Sequence, residues 1–131
     1  IATQILGVIA TVKEDNTPEA ALIALTEIDN LELVFGTYNT TRKYQNVINN
    51  PHVAITFGNS VEEAITVQYE GIVKELVVTK IDRPRALHLL KNIRSAKYAY
   101  KQEQRWFKVT PTWIRYVNLQ TDPQIEFEIR L

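Results

Sequence analysis

A short segment that leads from an apolar stretch into a helix carries the residues best suited to chemistry. It reads Val34-Phe35-Gly36-Thr37-Tyr38-Asn39-Thr40-Thr41-Arg42-Lys43. A helix N-terminus exposes backbone N–H groups and partial positive charge, and both favour an anion. Arg42 can grip a phosphate through two parallel hydrogen bonds, and Lys43 adds a point charge. Taken alone, the spacing favours a simpler interpretation, in which Thr41 caps the helix and both cations are solvated.

The elements that would position this segment are mostly short strands. β-branched or alternating runs predict strands at 7–13, 20–28, 31–35, 53–57, 64–73, 106–109, 113–119 and 125–131. Asp29-Asn30 predicts a tight hairpin. One helix is predicted around 44–48, with Thr40 or Thr41 as its cap, and a second begins at Asp82 and carries Ala86, Leu87, Leu90 and Ile93 as its apolar face. This balance favours a mainly β protein with short helices, built as a closed or split β-barrel.

The amino-acid composition limits the number of domains and the kinds of functional site that the protein can have. The 131 residues, of 15.1 kDa and 45% hydrophobic, predict a single domain over 1–131. Fifteen basic and fifteen acidic residues give zero formal net charge, so any anion site must be local. The absence of cysteine and the presence of only two histidines exclude thiolate metal sites and thiol nucleophiles, and we expect no metal. No apolar run is long enough for a membrane helix, and we expect a cytoplasmic protein.

Several segments together resemble the pyridoxamine phosphate oxidase-like, FMN-binding split-barrel family. They are Gly7-Val-Ile-Ala-Thr-Val-Lys13, Phe35-Gly-Thr-Tyr-Asn-Thr-Thr-Arg-Lys43, Asn49-Asn-Pro-His-Val-Ala-Ile55, Val67-Gln-Tyr-Glu-Gly-Ile-Val-Lys74 and Phe107-Lys-Val-Thr-Pro-Thr-Trp-Ile114. Their order and spacing cover nearly the whole chain. The resemblance implies one FMN-binding domain built as a six-stranded type of split barrel.

The resemblance also implies a set of cofactor-binding residues. Thr37, Thr41, Arg42 and Lys43 match the family motif that holds the FMN phosphate, and Gly36 belongs to the same segment. Backbone groups of Ile23, Ala24 and Leu25 would line the flavin. Thr66 stands where the oxidases carry a glutamine that contacts the flavin, so it is shorter but still polar.

Other positions depart from the family pattern. Ala21 and Thr26 replace an Arg and a Lys that reach the phosphate and the ring in the oxidases. Val117 replaces a Trp, and the downstream segment containing a histidine is missing. We therefore expect a divergent member without the vitamin-forming reaction. Flavin carries out electron transfer on its own ring, so no residue is assigned a catalytic role, His52 and His88 included.

These observations predict an FMN-binding flavoprotein, an oxidoreductase acting on a small molecule. The family places its flavin at a two-fold interface, so we expect a homodimer with the cofactor site at the interface. A non-catalytic protein that binds or senses flavin, haem or deazaflavin is the alternative. The segment 80–108 holds nine basic residues against two acidic ones and includes Tyr98, Tyr100 and Trp106, a pattern that also suits nucleic acid. A solvated basic face is the favoured interpretation of that segment.

Overall fold

The computed structural model describes residues 6–58 and 64–131 and contains a mainly antiparallel sheet with short helices. The strands are β1 (Leu6–Val12), β2 (Pro18–Ala24), β3 (Thr26–Glu27), β4 (Leu33–Tyr38), β5 (His52–Gly58), β6 (Ile65–Glu75), β7 (Gln104–Asn118) and β8 (Ile125–Arg130). The helices are α1 (Arg42–Asn49), α2 (Asp82–Lys91) and α3 (Ala96–Ala99), with single 3-10 turns at Val78–Lys80 and Ile93–Ser95. The predicted split-barrel class with short helices is confirmed.

The sheet order explains how the chain encloses a core. Strands follow the path β2-β1-β5-β6-β7-β4-β3, and β8 pairs with the second half of β7. Alternation along β1, β5 and β6 buries one face and leaves the other open, as in a half-covered antiparallel sheet. The buried face holds the main core, in which the rings of Phe35 and Phe107 stack 5.2 Å apart. Because β2 and β4 do not pair with each other, a cleft opens between them.

Strand β7 is continuous, where the sequence predicted two strands separated near Pro111. Its first half pairs with β4 up to Val109, and its second half pairs with β8 from Trp113. Pro111 lies between these two ladders, opposite Gly71 of β6, and the register shifts there. A proline lacks the N–H of a regular ladder, so this position tolerates it without ending the strand.

Gly71 is required by the same bulge, and its substitution is expected to be costly. A Cβ at this position would lie 2.6 Å from the backbone oxygen of Thr110 and 2.9 Å from the Val109 side chain. We expect Gly71→Ala to lower the free energy of unfolding by about 2 kcal/mol, since the backbone must shift. Gly58→Ala is the matched control, because a Cβ there meets nothing within 4 Å. Equal urea midpoints for the two variants would contradict this account.

The remaining predicted elements differ in detail. The predicted strand 20–28 is interrupted at Leu25, and the hairpin turn lies one residue later than expected. Its central residues are Asn30 and Leu31, both with positive φ (52° and 64°), and the Glu32 N–H donates to the Asp29 carbonyl. This is the conformation of a tight two-residue hairpin loop.

No helix among the described residues is long and apolar enough to cross a membrane.

The face predicted for α2 is wrong. Leu90 is 84% exposed and Ile93, just beyond the helix, is 79% exposed, whereas Pro84 and His88 are buried. Asp82 is the first helical residue and not a side-chain cap; its carboxylate pairs with Arg85 at 3.0 Å. The helix therefore packs on the sheet through Pro84, His88 and Leu89, a face that combines one polar ring with apolar side chains.

Candidate functional site

An open pocket of about 290 Å³ lies between β2 and β4. Leu22, Ile23 and Ala24 of β2 form one wall, and Gly36, Thr37 and Tyr38 of β4 form another. The remaining lining comes from the start of α1, from the helices and turn of residues 82–99 and from the first residue of β7: Thr41, Lys43, His88, Ser95, Tyr98 and Gln104. At Gly36 a Cβ would collide with the side-chain nitrogen of Gln104, so glycine is needed for Gln104 to reach the pocket.

Helix α1 begins as predicted, with Thr41 as its N-cap. The Thr41 hydroxyl accepts the Tyr44 N–H at 3.2 Å and donates to the Tyr38 carbonyl at 3.0 Å. Because its single hydrogen is used there, the 3.0 Å contact with Thr37 must be a donation from the Thr37 hydroxyl. The cap therefore fixes the orientation of Thr37 as well as the direction of the helix.

Lys43 ends this chain of hydrogen bonds inside the pocket. Its Nζ donates to the Thr37 hydroxyl at 3.3 Å, which leaves further ammonium hydrogens without an assigned acceptor. Within residues 6–58 and 64–131 it forms no ion pair. Burial lowers the pKa of Lys43, and the charge of Glu19 partly offsets this effect. A half-buried cation with open donors is a binding element for an anion.

Arg42 lies outside the pocket. Its guanidinium is 77% exposed and contacts the carboxylate of Glu19 on β2 at 2.9 Å, and the Glu19 side chain is 12% exposed. The structure thus places the two adjacent cations differently: Lys43 lines the pocket, whereas Arg42 ties the helix to the neighbouring strand.

Six of the nine cofactor-binding residues predicted from the sequence line the pocket together. They are Ile23, Ala24, Gly36, Thr37, Thr41 and Lys43. Besides Arg42, two predicted residues lie elsewhere. Leu25 is buried in the main core with 1% exposure, and Thr66 is exposed on the outer face of β6, between Gly58 and Val117.

His88 lines the same pocket, although sequence reasoning gave it no role. It is 3% exposed, its Nδ1 lies 2.9 Å from the Thr26 hydroxyl, and its ring meets Trp106 edge to face at 5.2 Å. Burial, with a smaller contribution from the Lys91 charge, lowers the pKa of His88 to about 4. Asn92 donates to the same Thr26 hydroxyl at 3.1 Å and to the His88 carbonyl at 3.2 Å. Polar residues four apart, at 88 and 92, were the available signal.

The basic segment 80–108 is partly neutralised. The Trp106 ring is 2% exposed and so cannot stack on a nucleic-acid base. Three cations of the segment 80–108 form ion pairs: Arg83 with Asp29, Arg85 with Asp82 and Lys108 with Glu32. Lys97 lies over the ring of Tyr98, and Arg85 lies over the ring of Tyr100. These contacts support the interpretation as a solvated face. In the described part of the chain no His, Cys, Asp and Glu side chains gather as a metal-binding group.

Comparison with known proteins agrees with this geometry. A family model described as pyridoxamine 5'-phosphate oxidase matches residues 1–118. A heme-binding protein from Mycobacterium smegmatis superposes with a TM-score of 0.83 at 16% identity, over 98% of this chain and 54% of that one, so this chain spans about half of its length. General Stress Protein 26 from Bacillus anthracis gives 0.70 at 24% identity, over 98% and 90%.

A third structure of the same fold is an F420 reductase. It gives a TM-score of 0.66 at 25% identity, over 85% of this chain and 89% of that one. Among curated protein sequences no significant match was found.

Proposed function

Because the chain belongs to the pyridoxamine 5'-phosphate oxidase family, we propose that the pocket between β2 and β4 binds the phosphate of FMN and that the protein is a flavin-dependent oxidoreductase acting on a small molecule. The observation that carries the proposal is Lys43, a half-buried cation with open donors. The Thr37 and Thr41 hydroxyls beside it are already oriented by hydrogen bonds. A phosphate is the ligand group that such a set of donors suits.

Different residues of the pocket would bind the phosphate and the ring of FMN. Lys43 and the first turn of α1 would hold the phosphate, and Leu22, Ile23 and Ala24 of β2 would lie along the ring. FMN, when bound, supplies hydride or electron transfer on its own ring. The protein then has to orient the ring and exclude water.

Binding of FMN and of riboflavin to the purified protein tests the proposal, because the two ligands differ only in the phosphate. We expect FMN to bind at least about 100-fold more tightly, as a charge-assisted hydrogen bond to the phosphate contributes roughly 2–3 kcal/mol. Both affinities can be followed by the change in flavin absorbance and fluorescence. Equal affinities would contradict the phosphate site, and absence of binding would contradict the flavoprotein assignment.

Deazaflavin and haem are the second candidates. Two of the structural relatives are an F420 reductase and a heme-binding protein, and a phosphorylated deazaflavin would use the same Lys43 and hydroxyl groups. A haem instead needs an axial ligand, for which the pocket wall offers His88. Competition of F420 or hemin against bound FMN distinguishes these cases.

We also propose a homodimer that forms through the open face of the sheet. Leu22 and Val8 lie opposite each other on that face and are 66% and 36% exposed. Next to them a groove of about 170 Å³ is lined in part by Ala10, Ala54 and Trp113. Leu22 also lines the pocket, so a second copy on this face would reach the cofactor site.

Leu22→Glu is expected to convert the dimer to a monomer, because it would bury a carboxylate without a partner. We expect the dimer dissociation constant to rise at least about 100-fold, since an unpaired buried charge costs about 3 kcal/mol. Light scattering after gel filtration measures the state. Leu90→Glu, at a side chain that is 84% exposed on α2, is the matched control and should leave the dimer intact. A monomeric wild type would contradict the proposal.

A further inference from the structure

His88 has one ring nitrogen committed and one open. Nδ1 is bonded to Thr26, and no hydrogen bond to Nε2 occurs among residues 6–58 and 64–131. Nε2 is also not among the fully buried side-chain atoms of the described chain that lack a hydrogen bond, which are Trp106 Nε1 and the Glu19 Oε2 that forms the ion pair with Arg42. Since the whole residue is only 3% exposed and lines the pocket, the small accessible part of its ring faces the pocket.

The hydrogen bonds around Thr26 decide which nitrogen carries the proton. Asn92 Nδ2 can only donate, so the Thr26 hydroxyl accepts there at 3.1 Å. The hydroxyl hydrogen then has one acceptor in the described structure, Nδ1 of His88 at 2.9 Å. The opposite tautomer would leave that buried hydrogen unpaired, which is costly. His88 is therefore a neutral ring with the proton on Nε2.

The position of His88 relative to Lys43 follows from β4. Thr26, which holds His88, pairs with Val34, and Thr37, which contacts Lys43, lies three residues further along the same strand. Because Val34 and Thr37 are an odd number of positions apart, the two side chains project to opposite faces of β4, so His88 and Lys43 line different ends of the pocket. A ligand whose phosphate lies at Lys43 thus presents a remote, uncharged part to His88.

We propose that His88 Nε2–H is a specificity-determining hydrogen-bond donor, which selects phosphorylated ligands that carry an uncharged acceptor, such as a ring carbonyl, at the end remote from the phosphate. Thr26 and Asn92 are positioning residues that hold the donor tautomer. The proposal rests on the proposed phosphate site. It also disfavours haem relative to the flavins, because iron at Nε2 would require the proton on Nδ1 and would leave the buried Thr26 hydroxyl hydrogen without an acceptor.

The tautomer can be measured without any ligand. In ¹⁵N-labelled protein at neutral pH, we expect His88 to show the chemical shifts of a protonated Nε2 and an unprotonated Nδ1. Thr26→Val removes the hydroxyl and should abolish this preference, whereas Thr26→Ser should keep it. A protonated Nδ1 in the wild type would overturn the proposal, whatever the protein binds.

The second test of the proposal measures ligand binding by variants of His88. We expect His88→Phe to weaken FMN at least about tenfold, the fold-change for loss of one buried hydrogen bond. The affinity for inorganic phosphate should not change, because its site at Lys43 is intact. His88→Asn, which keeps an N–H donor, should recover part of the loss. Unchanged FMN affinity in His88→Phe would overturn the donor role, and loss of phosphate affinity as well would show a general structural defect and also overturn it.

The two proposals fail in different ways. If wild-type protein binds neither FMN nor inorganic phosphate, the proposed function fails and this proposal fails with it. If wild type binds FMN more tightly than riboflavin but His88→Phe binds FMN equally well, only the role of His88 is refuted.

Discussion

Lys43→Ala is expected to weaken FMN binding by about 100-fold. The substitution removes a cation that lines the pocket, is half-buried, forms no ion pair in the described structure and donates one hydrogen bond to the Thr37 hydroxyl. A charge-assisted bond to a dianion contributes roughly 2–3 kcal/mol, which corresponds to that factor. Riboflavin affinity should change little, because the lost interaction is with the phosphate. Fluorescence titration of both ligands measures the difference.

Arg42→Ala is the matched control for this experiment. Arg42 adjoins Lys43 in sequence, yet its side chain is 77% exposed and is engaged by Glu19 at 2.9 Å. A surface ion pair contributes little, so we expect a change of no more than about threefold in FMN affinity. If the loss equals that of Lys43→Ala, Arg42 must leave Glu19 when the phosphate binds. The double variant should then lose more than either single variant.

The second large effect concerns acid stability. His88 is neutral in the fold with a pKa of about 4, whereas an unfolded histidine titrates near 6.5. Between these values the unfolded chain binds the extra proton, so the free energy of unfolding falls as the pH is lowered through this window. The difference of about 2.5 pKa units corresponds to roughly 3 kcal/mol. Thr26 and Trp106 contact the ring, the cation of Lys91 acts on it electrostatically, and Asn92 bonds Thr26 and the His88 backbone carbonyl.

Urea unfolding of the wild type and of His88→Gln, at pH values above and below this window, isolates the effect. Carboxylates such as Asp29 and Glu126 also have lowered pKa values, but their contribution is common to both proteins. The wild type should lose about 3 kcal/mol more than the variant on acidification. Parallel losses would mean that His88 is protonated in the fold without penalty.

Local signals explain what the sequence predicted well. Thr41, the following 3.6-residue pattern and Asn50-Pro51 are all close in sequence, and helix α1 has the expected start and end. The alternation in β6 predicted its buried face correctly. Because Thr37, Thr41 and Lys43 lie on this strand-to-helix unit, their meeting in one pocket follows from local geometry.

Long-range contacts explain what the sequence could not predict. The α2 face was wrong because the helix is anchored by His88 and Asn92 to Thr26, which is 62 and 66 residues away. No pattern within the helix sequence indicates that its polar residues will hydrogen-bond to the Thr26 hydroxyl on β3. Arg42 was likewise predicted to bind the phosphate beside Lys43. In the structure it pairs instead with the carboxylate of Glu19 on β2, a contact that the local sequence does not indicate. Thr26, noted first as the loss of a family lysine, holds the pocket histidine instead.

The continuous strand β7 imposes an order on folding. The hairpin of β1 and β2 and the ladder of β5 and β6 can form from neighbouring segments, but β4 pairs only with the two-residue β3 and with β7. The ribosome must therefore release the first half of β7, up to Val109, before the β4 side of the pocket has its partner strand. Such distant pairing is also slow to find. We therefore expect the proposed ligand to bind only after β4 and β7 have paired.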